Sequence, residues 1–130
     1  MTQIRILLVD DQPSVRRGLK MRLQLESDMS VIGEAGDGAE AIAATRALEP
    51  DVMVLDFEMP GMNGIETMSA LSDAGRRPSI VILSIHDNDA LKQAAARAGA
   101  HAFVAKHESG DRLLTAIRAA ASAREQEDAT

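Results

Sequence analysis

The sequence predicts an α/β fold, a doubly wound five-stranded parallel sheet with helices on both faces. Three observations carry that expectation. Five short apolar runs recur along the 130 residues, each of strand length and bounded by turn residues. Between them lie stretches with helical patterning, so the chain alternates βα five times, which connection rules turn into a parallel sheet. Four of the five runs end in a polar residue, and the carboxyl edge of an open α/β sheet is where ligands bind.

The first run, Ile4–Val9 (IRILLV), ends on Asp10-Asp11. Pro13 follows at a first-turn position for a helix that runs to about Glu26. Val15, Leu19 and Leu23 recur at i, i+4 and i+8, with Met21 and Leu25 widening the apolar face, while Arg16, Arg17, Lys20 and Gln24 gather opposite. Ser27–Ser30 reads as a turn and Val31–Ala35 as a short second strand. Gly36-Asp37-Gly38 breaks that strand, and an Ala-rich helix, Ala39–Leu48, closes at Glu49-Pro50. The third strand, Asp51–Asp56, passes through Val52, Met53, Val54 and Leu55 and stops at Asp56. Met59-Pro60-Gly61 shapes the loop behind it, ahead of a helix from about Asn63 to Asp73. Gly75–Pro78 turns the chain into Ser79–Leu83, which ends at Ser84. Asp87-Asn88-Asp89 caps a helix that runs to Ala98 and stops at Gly99. The fifth strand, His101–Ala105, ends at Lys106. Ser109 or Asp111 then opens a last helix with Leu113, Leu114, Ile117, Ala120 and Ala121 facing inward.

Composition narrows the function classes. The length suits one domain with one real core. A net charge of −6 argues against this segment gripping nucleic acid, and 2% aromatics leaves no stacking platform for bases. No apolar run approaches a membrane span, and no basic-then-apolar leader opens the chain, so a cytoplasmic location is expected. The absence of cysteine excludes disulfide and thiolate chemistry.

Asp10-Asp11, Asp56, Ser84 and Lys106 would converge on one sheet edge. Each alone is an ordinary strand-ending residue; together they are hard to place by chance. Three close carboxylates disfavour full ionisation unless a cation joins them, and hard oxygen ligands suit Mg²⁺. A hydroxyl and an ammonium across the site complete a set able to hold a phosphoryl group on the Asp56 carboxylate. The chain has no phosphate-cradling glycine loop, metal-binding His pair or Ser/His/Asp triad.

With these residues in view, the chain resembles the receiver domain of a two-component response regulator over about residues 3–122. The resemblance is carried by Asp10-Asp11, the Asp56…Met59-Pro60…Gly64 stretch, Ser84, the Phe103 position and Lys106. It implies a flavodoxin-like (βα)5 fold with strand order 2-1-3-4-5 and phosphorylation of Asp56 by a sensor histidine kinase. It also implies Mg²⁺ held by Asp11, Asp56 and the backbone carbonyl of Glu58, with Asp10 helping through water. Such a module catalyses only its own phosphorylation and dephosphorylation. Glu58 and His86 stand at positions that tune the phosphoryl lifetime in that family; two solvated loop residues are the plain alternative.

Two departures stand out. The family usually has a proline after the lysine, with a cis bond; here His107 follows, and a cis bond without proline costs about 3 kcal/mol, which favours a trans bond and a differently shaped loop. The aromatic switch position, often Tyr or His, is Phe103, which suits a core residue as well as a rotating switch.

The Ala105-Lys106-His107 and Ser109-Gly110-Asp111 stretches are similar in style to receivers of LuxR/FixJ-type transcription factors. On that resemblance residues 1–122 form the receiver and the charged stretch 123–130 begins a linker to a DNA-binding output domain outside this chain. The basic face of the first helix is a candidate kinase-docking surface, with a solvated helix face as the plain alternative. Phosphorylation is expected to promote a homodimer, with Leu113, Leu114 and Ile117 on a face shared between core and partner. Three rivals remain: a stand-alone receiver acting by protein contact, a degenerate receiver without phosphorylation, and a small Mg²⁺-dependent phosphatase with Asp56 as nucleophile. The phosphatase reading wants a second Asp where Glu58 stands.

Overall fold

Apolar runs alternating with helical segments build the expected sheet. The computed structural model describes residues 3–72, 77–108 and 110–129. The strands are β1 (Ile4–Val9), β2 (Met29–Ala35), β3 (Val52–Asp56), β4 (Ser79–Ser84) and β5 (Ala102–Ala105). The helices are α1 (Pro13–Gln24), α2 (Gly38–Leu48), α3 (Gly64–Leu71), α4 (Asp89–Arg97) and α5 (Asp111–Ala129), with a single 3-10 turn at Lys106–Glu108. Every strand pairing is parallel and the order is β2-β1-β3-β4-β5.

Alternation along the strands divides the core into two layers. Ile6 and Leu8 of β1 face Leu23 of α1 and Leu113, Leu114 and Ile117 of α5. Leu7 and Val9 face the other way, towards Ala41 of α2, Met68 and Leu71 of α3 and Ala95 of α4. All of β3 is buried, as a central strand covered on both faces must be. Among the described residues no helix is long and apolar enough to cross a membrane.

Local chemistry sets the helix ends. Pro13 occupies the first turn of α1, Asp37 and Asn88 cap α2 and α4, and Asn63 with Glu66 forms a reciprocal capping box on α3. Glu49 closes α2 in the left-handed region at φ 48°, and the Arg5 guanidinium donates to the carbonyls of Leu48 and Glu49, each at 2.7 Å. Gly64 is needed for close approach: a Cβ there would lie 3.2 Å from the backbone Cα of Phe57, just past Asp56.

Several sequence expectations are corrected. β2 begins at Met29 rather than Val31, because the Met29 side chain is buried in the α1/α5 layer; a register shift opposite Ile6 and Leu7 absorbs one residue. Met21 and Leu25 do not widen the apolar face of α1 but stand 66% and 77% exposed. The stripe of α1 that reaches the core stays narrow. Arg16 and Lys20 are not a free basic face, since both pair with Glu34 on β2, at 3.1 and 3.8 Å. Leu113, Leu114 and Ile117 are packed into the core, at 4% exposure or less, rather than divided between core and surface. β5 starts at Ala102, one residue later than expected. The expected end of the third helix at Asp73, the Gly75–Arg76 part of the turn and the alternative start at Ser109 lie outside the described residues.

The charged stretch from Ala123, expected as a linker, continues α5 to Ala129. Its Ala, Arg and Glu residues are strong helix formers, and Arg124 anchors it. That side chain is 5% exposed, donates to the Arg77 carbonyl at 2.6 Å, and lies 3.8 Å from Asp51 at the start of β3. Arg124→Ala removes the donor to the Arg77 carbonyl and the ion-pair partner of Asp51, so it is expected to cost about 1 kcal/mol in urea unfolding and to fray the end of α5. A change within about 0.5 kcal/mol would mean that these last turns are not docked.

Candidate functional site

The strand order decides which chain ends meet. β1 lies beside β3 with Val9 opposite Leu55, so Asp10 and Asp56 emerge next to one another. β4 flanks β3 with Leu83 opposite Asp56, and β5 flanks β4 with Ala105 opposite Ser84, which brings Ser84 and Lys106 to the same edge. One carboxylate oxygen from each of Asp10, Asp11 and Asp56 lies within 4.8 Å of the others. Asp10 and Asp56 are each 2% exposed.

Lys106 is the counter-ion. Its Nζ is 3.1 Å from Asp56 Oδ1 and 3.7 Å from Asp10 Oδ2. Burial alone would lower its pKa, but Asp56 above all, with Asp10 and Glu58, outweighs burial and holds the ammonium charged. Asp56 Oδ1 also accepts from the Glu58 amide at 3.2 Å, and Asp10 Oδ1 from the Gln12 amide at 2.9 Å. Burial, reinforced by the charge of Asp10, pushes the Asp56 carboxyl up to about 6 even though Lys106 pulls the other way. Asp10 Oδ2 is buried with no hydrogen-bond partner. An orphaned buried carboxylate oxygen beside two further carboxylates fits a hard divalent cation: the donors are oxygens, and the excess negative charge needs neutralising.

The remaining expected residues fall into place unevenly. Ser84 is fully buried at the edge, but its hydroxyl donates to Glu58 Oε2 rather than to Asp56. His86 reaches the site only through its backbone amide, which donates to Ser84 Oγ at 3.0 Å; its side chain is exposed. Phe103 is half-buried on β5, packed against the α2–α4 layer of the core. The peptide bond between Lys106 and His107 is trans, and the chain there forms the 3-10 turn.

Two contributions escape sequence reasoning. The Glu58 carboxylate brackets the end of β4, accepting from Ile85 N at 2.9 Å as well as from Ser84. The Arg16 guanidinium turns inward and donates to the Asp10 carbonyl while pairing with Glu34, which fixes the loop carrying the acidic pair. An arginine on the polar side of α1 carries no pattern that announces either contact.

A buried carboxylate faced by an ammonium and two further acids, at the carboxyl edge of a 2-1-3-4-5 sheet, places this chain among doubly wound α/β domains with an acidic cluster that could hold a metal ion. The model of the response regulator receiver domain matches residues 6–118, and the chain belongs to that family. It is 40% identical over 120 residues to the nitrate/nitrite response regulator protein NarP of Escherichia coli K12, covering 92% of this chain and 56% of that protein. It is also 40% identical over 119 residues to the uncharacterized transcriptional regulatory protein YxjL of Bacillus subtilis 168, covering 92% and 55%. The chain thus spans about half the length of the curated relatives it matches. Among solved structures, a LuxR-family two-component response regulator from Aurantimonas sp. SI85-9A1 superposes with TM-score 0.87 at 34% identity, covering 95% of this chain and 88% of that one. The signal receiver domain of the response regulator NarL from Mycobacterium tuberculosis gives TM-score 0.82 at 30% identity, covering 96% and 98%.

The raised pKa of Asp56 has a consequence for stability. Its folded value of about 6 exceeds the ordinary 3.8, so the folded state binds this proton more tightly than the unfolded chain does. Stability from this group is therefore complete below about pH 4 and lost as pH rises through about 6. In metal-free buffer at neutral pH, Asp56→Asn is expected to gain about 2 kcal/mol, with the gain shrinking below about pH 5. Urea unfolding across that window checks it; a difference between mutant and wild type that ignores pH would mean that Asp56 is not held at a cost.

Proposed function

We propose that this domain is a phosphorylation-controlled switch in which Asp56 takes a phosphoryl group from the phosphohistidine of a sensor kinase. The observation that carries the reading is the buried Asp56 carboxylate with Lys106 at 3.1 Å and two further acids beside it. Lys106 and the Glu58 amide occupy Oδ1, leaving Oδ2 to attack phosphorus. The new O–P bond forms as the N–P bond breaks, and the histidine nitrogen leaves with its electron pair. Asp11, Asp56 and the Glu58 carbonyl would hold Mg²⁺, with Asp10 acting through water; when bound, this ion supplies positive charge against the phosphoryl oxygens. Lys106 neutralises another of those oxygens, and Ser84, once released from Glu58, donates to a third. The module turns over no external substrate.

The similarity to the transcriptional regulatory protein YxjL, of which the matched stretch covers 55%, supports an output through a DNA-binding domain outside this chain. The acidic receiver itself does not touch nucleic acid. We place the domain in the cytoplasm, where a kinase's cytoplasmic part can reach it. With the large apolar residues of α5 committed to the core, a phosphorylation-dependent dimer would use the exposed side of that helix, Thr115 and Ala119, and the exposed Met21 and Leu25 of α1. His86 and Phe103 would act as lifetime-tuning and switch residues respectively.

Incubation with acetyl phosphate and Mg²⁺, followed by intact-mass measurement, tests the acceptor. Wild type should gain one phosphoryl group and Asp56→Asn none. Labelling of the mutant at the wild-type rate would remove Asp56 from the mechanism. In parallel, Asp11→Ala should weaken Mg²⁺ affinity at least several-fold, since one of two carboxylate ligands is lost. Unchanged affinity would reduce Asp11 to a strand cap.

A further inference from the structure

We propose that the Glu58 side chain is a latch that withholds Ser84 from Asp56 and pins the loop after β4, so that phosphorylation must displace it. The inference rests on the acceptor reading above and names what opposes the switch. Glu58 follows Asp56 by two residues, and its carboxylate spans from β3 to β4. Oε2 accepts from Ser84 Oγ and Oε1 accepts from Ile85 N at 2.9 Å. The Ser84 hydroxyl in turn accepts from the His86 amide at 3.0 Å. The hydrogen bonds of this fully buried hydroxyl thus go to Glu58 and His86, not to Asp56.

A hydroxyl has one proton. While Ser84 gives it to Glu58 it cannot give it to an oxygen carried by Asp56, so the two arrangements exclude each other. The bond to Glu58 is charge-assisted and therefore among the stronger kind. The same carboxylate grips the Ile85 amide, and the Ile85 side chain stands 61% exposed. Ile85 begins the loop that leads into α4, where Ala95 is the one fully buried side chain. A clamp on the amide thus holds a large apolar side chain in water at the root of a lightly anchored helix. A phosphoryl dianion on Asp56 would compete for the Ser84 proton and repel the Glu58 carboxylate, and both effects open the latch in the same direction.

The test separates the latch from simple charge repulsion and from the acceptor reading. In metal-free, unphosphorylated protein, Glu58→Ala should make the Ile85 amide exchange with solvent roughly tenfold faster. With Mg²⁺ present, the same substitution should tighten binding of beryllofluoride, a phosphoryl mimic, roughly tenfold, and Glu58→Gln should do so less. In a Ser84→Ala background the gain should shrink markedly, because no hydroxyl is left to release. A gain that persists undiminished in that background would overturn the latch and leave charge repulsion as its cause. Unchanged exchange at Ile85, or beryllofluoride affinity that is unchanged or weaker in Glu58→Ala while Asp56 still labels, would also overturn it and spare the acceptor. Failure of wild type to label at Asp56 or to bind beryllofluoride would overturn the acceptor reading, and the latch that rests on it.

Discussion

Asp10 and Asp56 stand almost sealed from water at neighbouring strand ends, and the one ammonium of Lys106 faces both. Burying like charges side by side is unfavourable, and the pKa of Asp56 at about 6 records that cost. The surroundings offset part of it. The Gln12 and Glu58 amides each donate to a carboxylate, and Arg16 draws on the Asp10 carbonyl from behind. The rest must be borne by the fold, and the five central residues of β3, all buried, are what hold Asp56 in place. Local order here runs against stability, as expected at a site shaped for function. Any event that brings positive charge among the carboxylates, or turns Asp56 from a buried anion into a properly partnered group, releases that cost.

Most of this was legible in the sequence because it depends on period and punctuation. The number, order and type of elements followed from apolar runs that alternate with helical spacing, and the strand-ending residues announced the site before any geometry was known. What failed is what depends on neighbours distant in sequence. Met21 and Leu25 have the right spacing on α1 to be core, yet nothing in a single helix says how wide its contact will be. The Ala123–Ala129 stretch has the charge of a linker, and the Asp51 carboxylate and the Arg77 carbonyl that help make Arg124 an anchor lie far along the chain. At the site the list of residues was readable and the partnering was not. Ser84 and Glu58 both stand out in the sequence, but their mutual hydrogen bond depends on the loops after β3 and β4 leaning together.

The same limit applies to the resting and switched states. A set of strand-end residues describes what can meet, and hydrogen-bond partners describe what has met. Here the hydroxyl expected to serve Asp56 serves Glu58, and on the proposed latch that single exchange of partner would distinguish a site ready to act from one held back. Chemistry of this kind is bistable, because one proton has two acceptors and no intermediate position satisfies either.

Where a change at this edge can travel is decided by how unevenly the helices are held. α5 buries Leu113, Leu114, Ile117 and Ala120, is pinned near its end by Arg124, and is tied to the loop between α1 and β2 through Arg118, which contacts Asp28 and Glu26 at 2.8 Å each. The Arg118 pairs are exposed and individually weak, but they add to a helix already fixed by its core residues. α3 is similarly committed through Met68 and Leu71. α4 has Ala95 alone as its fully buried side chain, with a capped N-terminus and a loop gripped by Glu58 at its root. Burial of one methyl group resists displacement far less than burial of three large aliphatic side chains. A pull on Ser84 or on the Ile85 amide would therefore meet least resistance along the β4–α4 loop, because α4 is held less firmly than α5. On the proposed switch, a change at the end of β4 would therefore be felt first beside β5 and Phe103, and would reach the surface of α5 only through them.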